Sequence, residues 1–141
     1  MAIDFHSSIK TLNLKVTPKR LAILDILARE MAYVSPEEVW QKMKERFGKI
    51  GLPTVYRNLE DLSQGGLIIK IIHPDRKLYY YFCHNSEHGH HHHFICLTCR
   101  KVEDLSFCGL EEIRKEVEGH LQGSIVSHLI QVYGLCRGCK E

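Results

Sequence analysis

The chain has 141 residues, of which 44% are hydrophobic, and its formal net charge is +2 at pH 7. A chain of this length forms one ordinary hydrophobic core, or two small cores if a further interaction stabilises the smaller one. It contains no run of 18 or more apolar residues, and its first twenty positions carry charges rather than an apolar signal segment. This composition predicts a soluble protein that does not enter a membrane and stays in the cytoplasm.

The charges are divided unevenly along the chain. Residues 1–84 carry 13 Lys and Arg against 9 Asp and Glu, whereas residues 85–141 carry 6 against 8. A basic first part favours a polyanion as its partner.

Two helix starts are marked in the first part of the chain. Thr17 followed by Pro18 is a typical N-cap and first helical position, and the apolar spacing predicts a helix over about 18–31. Ser35 and Glu38 have the spacing of a capping box, which predicts the start of a second helix.

A third helix and a hairpin complete this part. The helix begins at Pro53 and ends at Gly65-Gly66, and strand-like runs follow at residues 67–72 and 78–82. Three helices and a β-hairpin predict a winged helix-turn-helix domain over residues 1–84.

The second part predicts a small α/β domain over residues 85–141. Strands are expected at residues 93–96, 101–105 and 125–133, and a helix at about residues 110–121. These elements bury too little surface for an independent core, so we expect a zinc ion and a second subunit to stabilise the domain. The predicted fold class is therefore α+β, with a winged helix-turn-helix followed by an α/β dimerisation domain.

Four of the six cysteines form two Cys-x-x-Cys pairs, Cys96 with Cys99 and Cys136 with Cys139. Each pair places two thiolates on one tight turn, and four thiolates complete a tetrahedral zinc site with bonds of ~2.3 Å. Such a site has no open position and is therefore structural. The alternatives are buried or redox-active cysteines. Cys108 is interpreted as a small hydrophobic residue near a helix start.

A run of four histidines, His90 to His93, leads directly into a predicted strand. Strand alternation directs His90 and His92 to one face and His91 and His93 to the other, so that one run supplies two metal sites. The alternative is a solvated polar turn that binds metals only adventitiously.

Five segments resemble the ferric uptake regulator family in order and spacing, over nearly the whole chain. They are Leu14–Arg20, Pro53–Leu59, His90–Cys96, Lys101–Asp104 and Tyr133–Cys136. The resemblance implies a homodimeric repressor in which metal bound between the domains closes the dimer onto palindromic, A/T-rich double-stranded operator DNA. It implies control of metal-uptake genes, structural Zn²⁺ and regulatory Fe²⁺ or Zn²⁺, with iron ranked first.

The resemblance also implies two sensing sites. The inter-domain site has four competent ligands, which are His90, His92, Glu111 and His128. The further site matches the family at three positions, which are His91, His93 and Asp104.

The further site departs from the family pattern at two positions. Tyr33 stands where a histidine is usual, and Tyr80 stands at or near the usual acidic residue of the hairpin strand. Cys83 is either a replacement ligand, as in the zinc-sensing branch, or a half-buried strand cysteine, and His73 is a further candidate. A thiolate favours zinc over oxygen-preferring ions. A peroxide-sensing branch normally needs the missing acidic ligand.

The Pro53 helix is predicted to enter the DNA major groove, where its first turns present Thr54, Tyr56 and Arg57. The resemblance adds Lys15 as a minor-groove contact and Arg20 near the DNA backbone. The alternative is that Tyr56 is a core residue and Arg57 a solvated charge.

Two other classes of protein are possible alternatives to a regulator. A small zinc hydrolase would need an open coordination position and a motif such as His-Glu-x-x-His, which the chain lacks. A metal-storage function would explain the histidine run but would not explain the winged-helix domain. The chain is therefore predicted not to be an enzyme.

Overall fold

The computed structural model describes residues 4–84, 92–106 and 108–140. Contacts between residues divide the chain into two compact units, Met1–Asn85 and Ser86–Glu141. Together they contain helices and strands, and the predicted α+β class is confirmed. The domain boundary predicted between residues 84 and 85 stays a prediction, because it adjoins segment 85–91, which lies outside the described residues.

The N-terminal unit contains four helices in its described part. They are α1 (Phe5–Thr11), α2 (Pro18–Arg29), α3 (Pro36–Phe47) and α4 (Leu52–Gln64). The Thr17 side chain caps α2 by accepting a hydrogen bond from the Arg20 amide at 3.2 Å. The capping box predicted for α3 is complete, since Ser35 and Glu38 each accept a hydrogen bond from the other's backbone amide.

Helix α1 was not expected from the sequence. Asp4 caps it by accepting a hydrogen bond from the Ser7 amide at 3.1 Å, and Ile9 inserts into the core with no exposed surface. A helix of seven residues with one buried position has almost no hydrophobic periodicity, which is why the sequence pattern does not reveal it.

An antiparallel hairpin follows the helices, formed by β1 (Ile69–Ile72) and β2 (Leu78–Tyr81). Val34 and Tyr80 form a bridge in which each amide donates to the other's carbonyl, at 2.9 and 2.8 Å, and this bridge attaches the start of α3 to the hairpin. The predicted winged helix-turn-helix is confirmed.

One hydrophobic core fills the N-terminal unit, and each of α1 to α4 contributes to it. Its fully buried members are Ile9, Ile23, Leu24, Val39, Met43, Val55, Leu59 and Leu62. On α4, Val55 and Leu59 face this core while Arg57 between them is exposed. The helix therefore presents one polar face away from the core.

The C-terminal unit contains a three-stranded sheet in the order β4-β3-β5. Its strands are β3 (His92–Cys96), β4 (Val102–Leu105) and β5 (Gln131–Gly134). The central strand β3 pairs with β4 in antiparallel and with β5 in parallel orientation. The strands predicted at residues 93–96 and 101–105 thus occur almost as expected.

The helix predicted over residues 110–121 occurs as α5 (Leu110–Arg114) and a π-helical segment (Lys115–His120). The strand predicted over residues 125–133 is wrong for most of its length, because only β5 is extended in a sheet. The parallel pairing of β5 with β3 begins at His93 and Gln131. Residues 121–130 form no regular strand, so the predicted strand is shortened to its last part.

Candidate metal sites and DNA-binding surface

The two cysteine pairs lie on neighbouring turns of the C-terminal unit. Parallel pairing places Cys96, at the end of β3, opposite Gly134, at the end of β5, and the second pair follows directly after β5. The four sulfur atoms lie within 4.8 Å of one another, and Sγ of Cys99 is 3.6 Å from Sγ of Cys136. Sulfur atoms around a tetrahedral zinc ion with 2.3 Å bonds are ~3.8 Å apart. The group thus fits a zinc ion.

Hydrogen bonds to these sulfur atoms affect their ionisation. Backbone amides, chiefly that of Cys99 and then that of Cys136, lower the pKa of Cys96 to about 6. The hydrogen bond with the Cys136 side chain raises the pKa of Cys139 to about 12. Four thiolates at this separation repel one another, and a divalent cation is what allows all four to ionise together. A bound zinc ion would thereby join the two turns and stabilise the sheet.

A second group of candidate ligands lies elsewhere in the C-terminal unit and contains His92, Cys108 and His128. Sγ of Cys108 is 3.0 Å from Nε2 of His92 and 3.7 Å from Nε2 of His128. The two imidazole rings meet edge to face with their centroids 5.0 Å apart. One ligand atom from each residue lies within 4.8 Å of the others. We call this group the His-Cys-His cluster.

Three different segments supply the His-Cys-His cluster. His92 begins β3 and is buried, Cys108 lies between β4 and α5, and His128 lies in the irregular segment 121–130. Cys108 cannot be identified as a ligand from the sequence, because residues that are far apart in sequence and follow no motif give no spacing signal. Its only signal was that it is a cysteine outside both pairs.

Only two of the four ligands predicted for the inter-domain site lie together in the described residues. His92 and His128 lie together, and His90 lies outside the described residues. Glu111 is not part of the His-Cys-His cluster: its carboxylate pairs with Arg114 at 2.8 Å, and its side chain is 71% exposed. The membership of His90 and Glu111 in this site stays a prediction.

The further predicted site has one recognisable pair in the C-terminal unit. His93 and Asp104 are opposite each other on β3 and β4, and Nε2 of His93 is 3.5 Å from the Asp104 carboxylate. His91, the other histidine predicted here, lies outside the described residues. Successive histidines of β3 thus face different partners, as strand alternation predicts.

Two tyrosines lie at or near the positions where the family resemblance predicts ligands for this site. Tyr33 and Tyr80 are both buried in the N-terminal unit, and the Tyr33 ring packs edge to face against Tyr79. Burial, together with the Glu60 carboxylate near its hydroxyl, raises the pKa of Tyr80 to about 12. Tyr80 therefore remains a neutral phenol near neutral pH and is a poor substitute for an acidic ligand.

Two further candidate ligands lie in the N-terminal unit. Cys83 is buried two residues after β2. His73 lies in the hairpin turn, where its Nδ1 accepts a hydrogen bond from the Asp75 amide at 3.1 Å. The role of each as a ligand stays a prediction.

A basic cleft of about 630 Å³ lies between the start of α2 and the first turns of α4. Its lining residues are Lys15, Thr17, Pro18, Lys19, Arg20, Phe47, Thr54, Arg57 and Asn58. Four of them are cationic, which makes the cleft suitable for phosphate groups. Lys15, Arg20, Thr54 and Arg57, which were predicted from the sequence to contact DNA, thus lie around one surface.

Two of the residues predicted to contact DNA, Arg20 and Tyr56, have hydrogen-bond partners inside the protein. Arg20 donates hydrogen bonds to the Lys15 carbonyl at 2.7 Å and to the Asp61 carboxylate at 3.0 Å, which fixes the position of the Lys15 backbone. The Tyr56 hydroxyl donates to Glu37 at 2.8 Å, and its side chain is partly exposed rather than part of the core.

The fold and these sites define a winged-helix protein with metal ligands in its C-terminal unit. The sequence profile of the Ferric uptake regulator family matches residues 11–133, and the chain belongs to this family. It is thus a metal-responsive regulator, and members of the family are homodimeric, DNA-binding transcription regulators rather than enzymes. The hydrolase and storage alternatives are not supported.

Individual relatives represent several branches of the family. The chain is 29% identical to the peroxide operon regulator of Bacillus subtilis over 135 residues, which are 95% of this chain and 90% of the relative. It is 30% identical to the solved Vibrio cholerae ferric uptake regulator, covering 94% of this chain and 100% of that one, with a TM-score of 0.64. A zinc uptake regulator complexed with zinc and DNA is 25% identical, with coverage of 96% and 89% and a TM-score of 0.78.

Proposed function

We propose that the chain is a cytoplasmic, metal-dependent transcriptional repressor that binds palindromic, A/T-rich operator DNA as a homodimer and controls metal-uptake genes. One observation carries the proposal: a winged helix with a basic cleft and a unit with two groups of metal ligands occur in one chain. A metal that binds the DNA-competent arrangement better than other arrangements shifts the population toward it.

The homodimer is supported by apolar side chains that remain exposed in the C-terminal unit. These side chains are Ile113, Leu121, Val126, Leu129, Val132 and Leu135. Val126 is 96% and Leu129 73% exposed, and such residues grouped on a small unit are typical of a subunit interface. A two-fold dimer would place two copies of α4 on the two halves of a palindrome.

The metal that is sensed depends on the donor atoms. Iron, ranked first from the sequence, stays a prediction. The thiol within the His-Cys-His cluster favours zinc instead, because thiolate ligands prefer borderline and soft ions. The solved relative complexed with zinc and DNA gives an example of a zinc uptake regulator in this fold.

A peroxide response is a second candidate function, favoured by the similarity to the peroxide operon regulator along 95% of the chain. Its chemistry would require an iron site. The neutral Tyr80 near the usual acidic position weighs against it.

The test is to select DNA from a random duplex library with the full-length protein under three conditions. The protein is loaded with zinc, loaded with Fe²⁺ under anaerobic conditions, or kept free of metal by a chelator. We expect an A/T-rich palindrome to be enriched only with metal, and its affinity to fall strongly when chelator is added. Equal binding with and without metal would contradict the proposal. Adding hydrogen peroxide to the iron-loaded protein tests the second candidate, which requires an irreversible loss of DNA binding.

A further inference from the structure

We propose that His92, Cys108 and His128 bind a zinc-class divalent ion, and that Cys108 provides the anionic ligand in place of Glu111. The inference deepens the proposed function, because it specifies the ligands and the metal class of a regulatory site. It does not depend on operator binding, however, since the site is defined within the C-terminal unit alone.

The spacing of the three ligand atoms is close to that required by one tetrahedral ion. With Zn–S bonds of ~2.3 Å and Zn–N bonds of ~2.0 Å, a sulfur and a nitrogen ligand are ~3.5 Å apart. The two S···N distances from Cys108 are 3.0 Å to His92 and 3.7 Å to His128, on either side of this value. Small side-chain movements are therefore enough to accommodate the ion.

The position of Glu111 supports the same conclusion. Its carboxylate pairs with Arg114 one turn further along the helix, and its side chain is largely exposed to solvent. Using it as a ligand would break this ion pair and reorient the side chain. The Cys108 sulfur already lies beside both imidazoles.

The chemistry of the donor set selects the metal. Two imidazoles and one thiolate suit zinc and cobalt, whereas manganese and magnesium prefer oxygen ligands. When the ion binds, the Cys108 S–H bond breaks, the sulfur electron pair is donated to the metal, and the proton passes to solvent. Both histidines bind as neutral imidazoles through Nε2, so the ion retains a single positive charge.

Metal binding at this site also fixes an otherwise irregular part of the unit. His128 lies in segment 121–130, which contains the exposed Val126 and Leu129. An ion bound to His92 and Cys108 would anchor this segment to β3 and to the start of α5. The site thus connects metal occupancy to the apolar surface that we propose for dimerisation.

The test is a cobalt titration of the full-length protein carrying one zinc per chain in its four-cysteine site, as verified by metal analysis. A thiolate ligand gives a sulfur-to-cobalt charge-transfer band, which a site of nitrogen and oxygen ligands lacks. We compare the wild type with Cys108→Ser, Cys108→Asp, Glu111→Gln and Cys83→Ser. Zinc affinity is measured in parallel by competition with a chromogenic chelator.

We expect the band in the wild type, in Glu111→Gln and in Cys83→Ser, and its loss in both Cys108 variants. Zinc affinity should fall more than ~10-fold in Cys108→Ser, since even the loss of an outer-shell partner costs 10-fold to 100-fold. A full band in Cys108→Ser, or a band lost only in Cys83→Ser, would overturn the inference. Cys108→Asp controls for misfolding, because it should still bind cobalt but without the band. Normal cobalt binding with no effect of metal on DNA affinity would refute the repressor while leaving this site intact.

Discussion

Nε2 of His92 lies 3.0 Å from Sγ of Cys108, whereas the imidazole of the next residue, His93, lies 3.5 Å from the carboxylate of Asp104. The pleat of β3 sends these two neighbours to different partners. One histidine therefore faces a thiol and the other a carboxylate. The two environments differ in the hardness of their donor atoms, and so in the metals they favour.

Replacing His92 with alanine should remove the response to metal while leaving a folded protein. The variant loses one ligand of the His-Cys-His cluster but keeps all four cysteines of the structural site. We expect at least ~10-fold weaker operator binding in the presence of metal, within the usual range of allosteric coupling. Fluorescence anisotropy with labelled operator measures this loss, and His120→Ala, on the exposed π-helical segment, is the matched control. Wild-type metal dependence in His92→Ala would contradict the role of this residue.

Replacing Cys96 with serine should have a different effect, because it disrupts the structural site. Cys96 is fully buried and joins the end of β3 to the second cysteine turn. Structural zinc in small zinc-binding peptides contributes ~10–16 kcal/mol of apparent binding free energy, so its loss should unfold the C-terminal unit. Circular dichroism, zinc content and sedimentation velocity measure the outcome. Cys108→Ser is the control and should retain one zinc and the fold; a stable Cys96→Ser dimer with one zinc would show that the site is not structural.

Replacing Arg57 with alanine should weaken operator binding without affecting stability. Arg57 is exposed beside the basic cleft, on the face of α4 opposite Val55 and Leu59. If it contacts a phosphate, the slope of log affinity against log salt should decrease by ~1; if it contacts guanine, discrimination at one base pair should fall by ~1–3 kcal/mol. Anisotropy titrations over a range of salt concentrations distinguish these results. Arg29→Ala removes an exposed arginine at the far end of α2 and should leave both quantities unchanged.

Most of the winged helix could be predicted because its signals are local. The Thr17 cap and the Ser35 and Glu38 capping box specify helix starts within four residues, and the structure contains both. The secondary-structure predictions fail where contacts between distant parts of the chain determine the local structure. The sequence predicts a strand that includes residues 125–130, but the pairing of β5 with β3 begins only at Gln131, and this irregular segment carries His128.

A metal site could be predicted from the sequence only where its ligands are close together in a short motif. Two Cys-x-x-Cys pairs identify the four-cysteine group, and the structure brings those sulfur atoms together. Cys108 is 16 residues from His92 and 20 from His128, and only the folded chain brings these three side chains together. The family resemblance predicts Glu111 as a ligand beside His92 and His128, whereas the structure places Cys108 next to both histidines.

We expect the Arg20–Asp61 ion pair to hold Lys15, the predicted minor-groove contact, in position. Arg20 itself should not contact the DNA. Arg20 connects Asp61 on α4 to the Lys15 carbonyl, and its side chain is only 15% exposed. Arg20→Ala should lower the free energy of unfolding by about 1–3 kcal/mol, because hydrogen bonds to a charged group stabilise by about 1.5–3 kcal/mol each and the partial exposure of Asp61 weakens this contribution. A double-mutant cycle with Asp61→Ala, measured by urea denaturation, isolates the pair. A coupling energy near zero would mean that the pair is held together by neighbouring contacts alone.

Replacing Leu129 with aspartate should prevent dimerisation. Leu129 and Val126 are exposed in the C-terminal unit, and a charge buried in an apolar interface without a partner is strongly unfavourable. Sedimentation velocity should show a monomer that retains one zinc per chain, and palindromic DNA should bind weakly because two linked half-site contacts become one. Met31→Asp is the matched control: Met31 is 83% exposed but belongs to the N-terminal unit, so this variant should remain a dimer. If Leu129→Asp stays dimeric with normal operator affinity, then the surface formed by segment 121–130 is not the interface.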